Sequence, residues 1–436
     1  MANQTDRLCM LYAHVLLRKR SVAGKNTAAL ENPPYFCKKN VQEISDKIDS
    51  KLGKERRRIM NRKEILEIRK QFSPANCAIT RIAGCYVDHE KNKVMQTKDA
   101  FLALPEEEAF KYFDIFKKAL SGGFGKNLIP LDYTQDAEAA GSPHSFLMDL
   151  RASKLEDDNL LEEFYDKIIE NYNYNENYYI ILIHGMYDIP GRGSDGQEME
   201  DASEEVYQHI MGVICPVSLS KPGLSYDAED NRMQDRIREW VVDKPAKAFL
   251  FPAFSDRSTD IHKVLYYTKK TSELQPELIE QVLGAQIPMS ADLQKEAFSA
   301  VVTDTLAEKC DFETVKNIYE NLNNIMEEHT EDPEPLKLDQ NDIKKVFESS
   351  GVPAERMDNY DLAYKGNAGE RTEFLAGNIT ENRKFNVSTP DAEIKVKPDR
   401  LDIMRTTVID GRQCLVIELN GTVSVNGINV RVLSTE

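Results

Sequence analysis

Residues 178–183, Tyr178-Tyr179-Ile180-Ile181-Leu182-Ile183, form an unbroken aromatic and aliphatic run closed by His184-Gly185. So short and apolar a run reads as a strand buried on both faces inside a sheet. It is fed by Leu160 to Tyr172, an amphipathic helical pattern. Upstream, Ile65, Ile68 and Phe72 stand at helical spacing and stop at Ser73-Pro74, because proline disfavours helix in the residue before it. Cys77 to Val87 reads as a strand. Pro105 and the acids Glu106 to Glu108 open a helix whose apolar side carries Phe113, Phe116 and Leu120 and which stops at Gly122-Gly123.

Downstream of the apolar run the sequence predicts a long polar loop with Gly191, Gly193 and Gly196, running into the acidic residues Glu198 to Glu205. A strand follows around Met211 to Val217, then a helix around Asp230 to Val241 holding the only tryptophan, Trp240. Phe249 to Phe251 and Val264 to Tyr267 read as strands joined by the polar segment Ser255 to Asp260. Helices are expected over Pro276 to Leu283, Asp292 to Leu306 and Asp311 to Glu328, the last N-capped by Asp311. The fold class is α/β or α+β, a mixed sheet with flanking helices. The rest of the chain adds a small domain of short helices and an antiparallel β-meander, with turns at Asp410-Gly411, Asn420-Gly421 and Asn426-Gly427.

The domains implied are a disordered or spurious leader at 1–59, a mixed α/β domain at 60–329, an acidic proline-containing linker at 330–338, and the helical and β-meander domain at 339–436. Charge changes sign at the first boundary: residues 1–59 carry net +7, the remainder net −24. Lys54-Glu55-Arg56-Arg57-Arg58 abuts Met60, and purine-rich arginine codons resemble a bacterial ribosome-binding site, so Met60 is expected to be the true start. The basic leader also suits a nucleic-acid-binding arm. Its apolar stretch, Leu8 to Leu17, has its basic residues on the wrong side for a secretory signal and is too short to span a bilayer. The acidic balance of the rest argues against general attraction to nucleic acid or an anionic membrane. The seven cysteines (Cys9, Cys37, Cys77, Cys85, Cys215, Cys310, Cys414) are scattered without a CxxC pair. That pattern suits a reduced cytoplasm and cysteines acting as small hydrophobes.

Leu120 to Asn127 has a Gly-Lys pair but lacks the first glycine and the hydroxyl of a phosphate loop, and it follows a helix instead of opening one. Glycines that stop the helix account for it. His184-Gly185 after an apolar strand suggests an oxyanion loop, yet no GxSxG occurs and Ser194 sits in Arg-Gly-Ser-Asp-Gly. Asp399 and Glu418 have the spacing of a metal nuclease, with Asn420 where a lysine is needed. The densest polar cluster is Asp256, Arg257, Asp260 and His262, in which carboxylates and imidazole could hold a divalent metal and Arg257 a phosphate. His184 or Asp188 would join from the preceding strand. Asx turns and an arginine–carboxylate pair bracing a hairpin explain the same residues.

The stretches IAGCYVD (82–88), EEFYDKIIENY (162–172), ICPVSLSKPGLSY (214–226), FPAFSDRSTDIH (251–262) and NGINVRVL (426–433), with Met60-Asn61-Arg62-Lys63-Glu64 at their head, resemble an uncharacterised domain-of-unknown-function family of clostridial-type bacterial proteins. The resemblance runs from Met60 to the C-terminus and implies a bacterial, cytoplasmic protein with no assigned activity or cofactor. FNVSTPDAEIKVKPDRLD (385–402) is more faintly similar in layout to bacterial nucleoid-associated proteins. The sequence assigns no function; because none of these constellations has complete chemistry, the expectation is a binding or scaffold protein, with nucleoid association left open, no cofactor, and a partner that is not identified, a protein or a second copy being open. The alternative is a metal-assisted hydrolase using the Asp/His loop cluster.

Overall fold

The computed structural model describes residues 60–192, 198–332, 334–370, 372–380, 384–419 and 421–430. The leader 1–59, with Cys9 and Cys37, and Ser194 and Asn420 lie outside them. The chain opens with helix α1 (Arg62–Lys70), where Asn61 and Glu64 form a reciprocal capping box. Strands β1 (Ile79–Val87) and β2 (Lys93–Ala100), helix α2 (Glu106–Ala119) and strand β3 (Leu128–Asp132) follow. Next come α3 (Pro143–Ala152), α4 (Asp158–Asn171) and the long strands β4 (Tyr178–Arg192) and β5 (Glu198–Leu219). Three short strands, β6 (Leu224–Asp227), β7 (Arg232–Asp235) and β8 (Trp240–Val242), precede β9 (Lys247–Phe251), β10 (Ala253–Ser255), β11 (Ser258–Asp260) and β12 (Lys263–Thr268).

The main sheet is antiparallel throughout, in the order β2-β1-β4-β5-β9-β12-β3, with β8 added to the far end of β5. Residues 178–183 lie at its centre and are fully covered, because each face meets a helix layer. On one face Ile180, Leu182, Ile214 and Phe251 pack with Leu147 and Leu150 of α3, Phe164 and Ile168 of α4 and the π-helical turn Leu278–Leu283. On the other, Tyr179, Ile181, Met211 and Leu250 pack with Ile65 and Ile68 of α1 and Phe113 and Phe116 of α2. The period-two alternation of the strands assigns successive side chains to the two cores.

A third core joins α5 (Ala291–Leu306), α6 (Phe312–Glu328), α7 (Gln340–Ser349), α8 (Ala354–Asn367) and the single turn α9 (Ala376–Ile379) through Phe298, Ile318, Phe347 and Tyr360. Residues on both sides of the 330–338 segment share it. It meets the sheet at Gly125, which has φ +76° and whose added Cβ would lie 2.4 Å from Leu375 Cδ1; Asn378 Nδ2 donates to its carbonyl at 3.1 Å. Glycine is required there both for the backbone conformation and for the close approach.

Three local expectations are corrected. The strand does not end at His184-Gly185: β4 continues to Arg192, and the acidic stretch Glu198 to Glu205 pairs with it as the start of β5. Gly185 permits this, since a Cβ there would fall 2.5 Å from the His209 ring. Residues 230–241 are not helical. The Asp227 carboxylate accepts from the amides of Glu229 and Asp230, Asn231 adopts φ +48°, and β6 folds back on β7. Finally, the C-terminal meander resolves into separate two-stranded hairpins. They are β15 (Phe385–Ser388) with β16 (Glu393–Val396), β17 (Met404–Ile409) with β18 (Arg412–Ile417), and β19 (Val423–Val425) with β20 (Ile428–Val430), after the short pair β13 (Lys337–Leu338) and β14 (Phe374–Leu375). Asp410-Gly411 and Asn426-Gly427 turn two of these hairpins with positive φ at both residues, whereas Gly421 lies between hairpins.

Candidate functional site

The β10–β11 hairpin turns at Asp256-Arg257, both with φ +54°. This turn faces the N-terminus of α1 and the β4–β5 pair across a cleft of ≈ 540 Å³ that includes Glu64, Glu67, Pro190 and Glu205 in its lining. Glu64 is buried and holds two elements together: its Oε2 accepts from the Asn61 amide at 2.7 Å and its Oε1 from the Arg257 amide at 3.2 Å. Burial pushes its carboxyl above the usual value against the pull of those amides. The Arg257 guanidinium donates to the Pro190 carbonyl at 3.0 Å and pairs with Glu67 at 3.3 Å, and Glu67 also accepts from Tyr187 Oη at 2.8 Å. Glu205 accepts from Ser258 Oγ at 2.8 Å and from the Thr259 amide at 3.4 Å. Burial raises its carboxyl, but the hydrogen bonds outweigh it and leave it below the ordinary range.

Of the six residues singled out in the sequence, only Asp256 and Arg257 line this cleft. Asp260 accepts from the His262 amide at 3.1 Å and pairs with the buried Lys263 ammonium at 3.1 Å, a local brace. His262 is exposed, as is Asp188 on β4. His184 is fully buried, with Thr80 Oγ1 2.6 Å from its Nδ1 and 3.1 Å from its carbonyl oxygen. Burial, with Lys154, Arg151 and Arg81 nearby, pushes its pKa down to about 4. His209, also fully buried, stacks on Tyr207 with ring centroids 4.7 Å apart and has its pKa pushed down to about 3, chiefly by burial. Among the described residues no three His, Cys, Asp or Glu side chains come together as a metal set. The cysteines divide: Cys85 and Cys215 are buried, with Cys85 pushed up to about 12 by burial, while Cys310 is exposed.

Sequence reasoning missed Glu64, Glu67 and Glu205, which come from α1 and β5 and meet the hairpin only in the fold. The Asn-x-x-Glu capping pattern at Asn61–Glu64 was the one legible sign.

It also missed a surface of a different kind. From Leu219 the chain leaves the sheet as a two-stranded ribbon closed by β8 pairing with β5, by the Ser220 amide on the Glu239 carbonyl, by the Arg236 amide on the Gly223 carbonyl and by the β6–β7 pair. Tyr226 lies opposite Met233 and Leu224 opposite Asp235, so these side chains share one face. Leu224 is 76% exposed, Met233 66% and Tyr226 59%; beyond them Ile237 is 82% and Trp240 56% exposed. Single exposed apolar residues are ordinary, but Leu224, Tyr226 and Met233 stand exposed on one face of one short hairpin, the kind of grouping that marks interaction surfaces.

No helix among the described residues is long and apolar enough to cross a membrane. No curated protein matches the sequence. A family model described as a domain of unknown function, DUF4317, matches residues 60–428, and the chain belongs to that family.

Proposed function

We propose that this is a binding or scaffold protein whose working surface is the ribbon at residues 217–242 and whose partner is a protein. The observation that carries the reading is the exposed apolar row Leu224, Tyr226 and Met233, with Trp240 farther along the same ribbon. Aromatic residues and methionine are enriched at protein interfaces, and leaving them in water forgoes about 1.5–3 kcal/mol of burial each. The polar cluster supports the same reading from the other side. Glu64, Glu67, Glu205 and Asp260 spend their oxygens on amides, hydroxyls and cations of their own fold. The cleft is thereby braced.

The test is photocross-linking of the full chain in its native cell, with a benzophenone side chain placed at Tyr226 or Met233 and, as controls, at the exposed helix positions Leu66 and Leu362. The binding reading expects protein adducts at the ribbon positions in excess of the controls. Equal yields at all four positions would end it.

A further inference from the structure

We propose that the partner of the ribbon is a second copy of this chain, the two ribbons lying side by side and antiparallel about a twofold axis. This rests on the reading of the ribbon as a binding surface and names its occupant. The argument begins with charge. Residues 60–436 carry net −24, which in general drives copies apart. Residues 220–244 are different, with five Lys and Arg against six Asp and Glu. The ribbon is therefore nearly neutral on an acidic body, and self-contact is less opposed there than over the body as a whole.

Its charges are also sorted along its length. The turn end, residues 227–232, carries net −2 through Asp227, Glu229 and Asp230 against Arg232, whereas the stem, residues 221–223 and 235–239, carries net +1. Arg236 and Arg238 are exposed in that stem, and Arg238 Nε reaches the Ser220 carbonyl at 2.7 Å, which fixes it there. A surface with one sign at each end and an apolar row between them is complementary to itself under a twofold rotation that sets the ribbons antiparallel. Each turn end then meets the other copy's stem, and the rows of Leu224, Tyr226 and Met233 face one another. A parallel arrangement would set like charges together.

The experiment is sedimentation of the full chain over a concentration series, with two charge-reversed variants. One is Arg236→Glu with Arg238→Glu in the stem, the other Glu229→Lys with Asp230→Lys at the turn end. All four positions are exposed, so melting midpoints measured where the chain is dilute and monomeric should be unchanged and confirm that each variant folds. Wild type should dimerise. Either variant alone should dissociate at least about tenfold more readily, and an equimolar mixture should restore near wild-type dimerisation, because both end-to-end contacts then join opposite charges. Leu224→Lys, which leaves the end charges intact, should also dissociate and should not be rescued by either variant. A wild type that stays monomeric, or a dimer indifferent to the charge reversals, or a mixture that gives no rescue, overturns the second-copy proposal. A monomer whose ribbon cross-links to another protein removes the second copy and leaves the binding reading standing; absence of ribbon adducts removes both.

Discussion

Strands β9 and β12 and the ribbon strands β6 to β8 all carry large apolar side chains, yet every residue of the former pair is buried and the apolar residues of the latter are exposed. β9 reads Lys-Ala-Phe-Leu-Phe and β12 Lys-Val-Leu-Tyr-Tyr-Thr; β8 reads Trp-Val-Val. The difference lies in what covers them. β9 and β12 sit between α3 and α4 on one face and α1 and α2 on the other, so their apolar side chains leave water on folding. Even their leading lysines find partners, Lys247 on Thr268 Oγ1 at 2.7 Å and on the Glu273 carbonyl, Lys263 on Asp260. The ribbon has turns and register good enough to form strands, but no such cover among the described residues. Strand pairing alone thus does not bury a side chain; burial depends on a neighbouring layer, and apolar strands without one are where association gains most.

The contrast is most exposed to failure in paired truncations. Leu250→Ala in β9 removes a fully buried side chain and should cost about 2–5 kcal/mol in chemical denaturation. Leu224→Ala, measured where the chain is dilute, should stay within about 0.5 kcal/mol of wild type. Similar losses at the two positions would mean that the ribbon is built into the core after all.

Acid should separate the two regions next. His184 and His209 are buried neutral in the sheet, with folded pKa values of about 4 and about 3, below the usual value near 6.5. The unfolded chain therefore takes up protons first. Stability is full above about pH 6.5 and declines as pH falls toward 4 and then 3, by on the order of 3 kcal/mol per ring. Glu205, whose carboxyl lies below its ordinary range, adds loss in the same direction only from the carboxylate range downward. Glu64, whose carboxyl burial raises, works in the opposite direction as pH falls, so the histidine share of the slope between pH 6.5 and 5 is read as the difference between wild type and His209→Gln, which should remove about half of that share. An unchanged slope would show that the buried rings are not its source. The ribbon contains no histidine, so association through it should contribute nothing to this window.

A smaller effect is expected at the β10–β11 hairpin. Asp260→Asn removes the counter-charge of buried Lys263 and should cost about 1–3 kcal/mol. If the hairpin is only a brace, added Mn²⁺ or Zn²⁺ leaves the melting midpoint of wild type and variant alike unchanged. A metal-dependent rise in wild type that the variant lacks would restore the hydrolase alternative and shift attention from the ribbon to the cleft.

Much of the covered region was legible in the sequence. The run 178–183 is the central strand, the helix starting after Asp311 begins where its cap requires, and Pro105 with three glutamates opens α2. These elements declare themselves because period, caps and turn residues agree. The ribbon was misread because Met233, Ile237, Trp240 and Val241 also fall at helical steps, so periodicity alone cannot separate the two states. Pairing with β6 and with the end of β5 decided the matter, and that is tertiary information. The cleft was half legible for a similar reason. Asp256 and Arg257 stand in one short segment, but Glu64, Glu67 and Glu205 approach from α1 and β5, and no spacing in the chain links them.

Hydrogen exchange of the full chain, read by mass spectrometry at two concentrations far apart, tests the central contrast most directly. Amides of β4, β9 and β12 should exchange slowly and identically at both concentrations, because their cover is part of the fold. Amides of residues 223–236 should be slow in the concentrated sample and become fast on dilution, as the second copy leaves. Fast exchange of the ribbon at both concentrations would contradict the account, leaving an apolar surface that no copy of this chain covers.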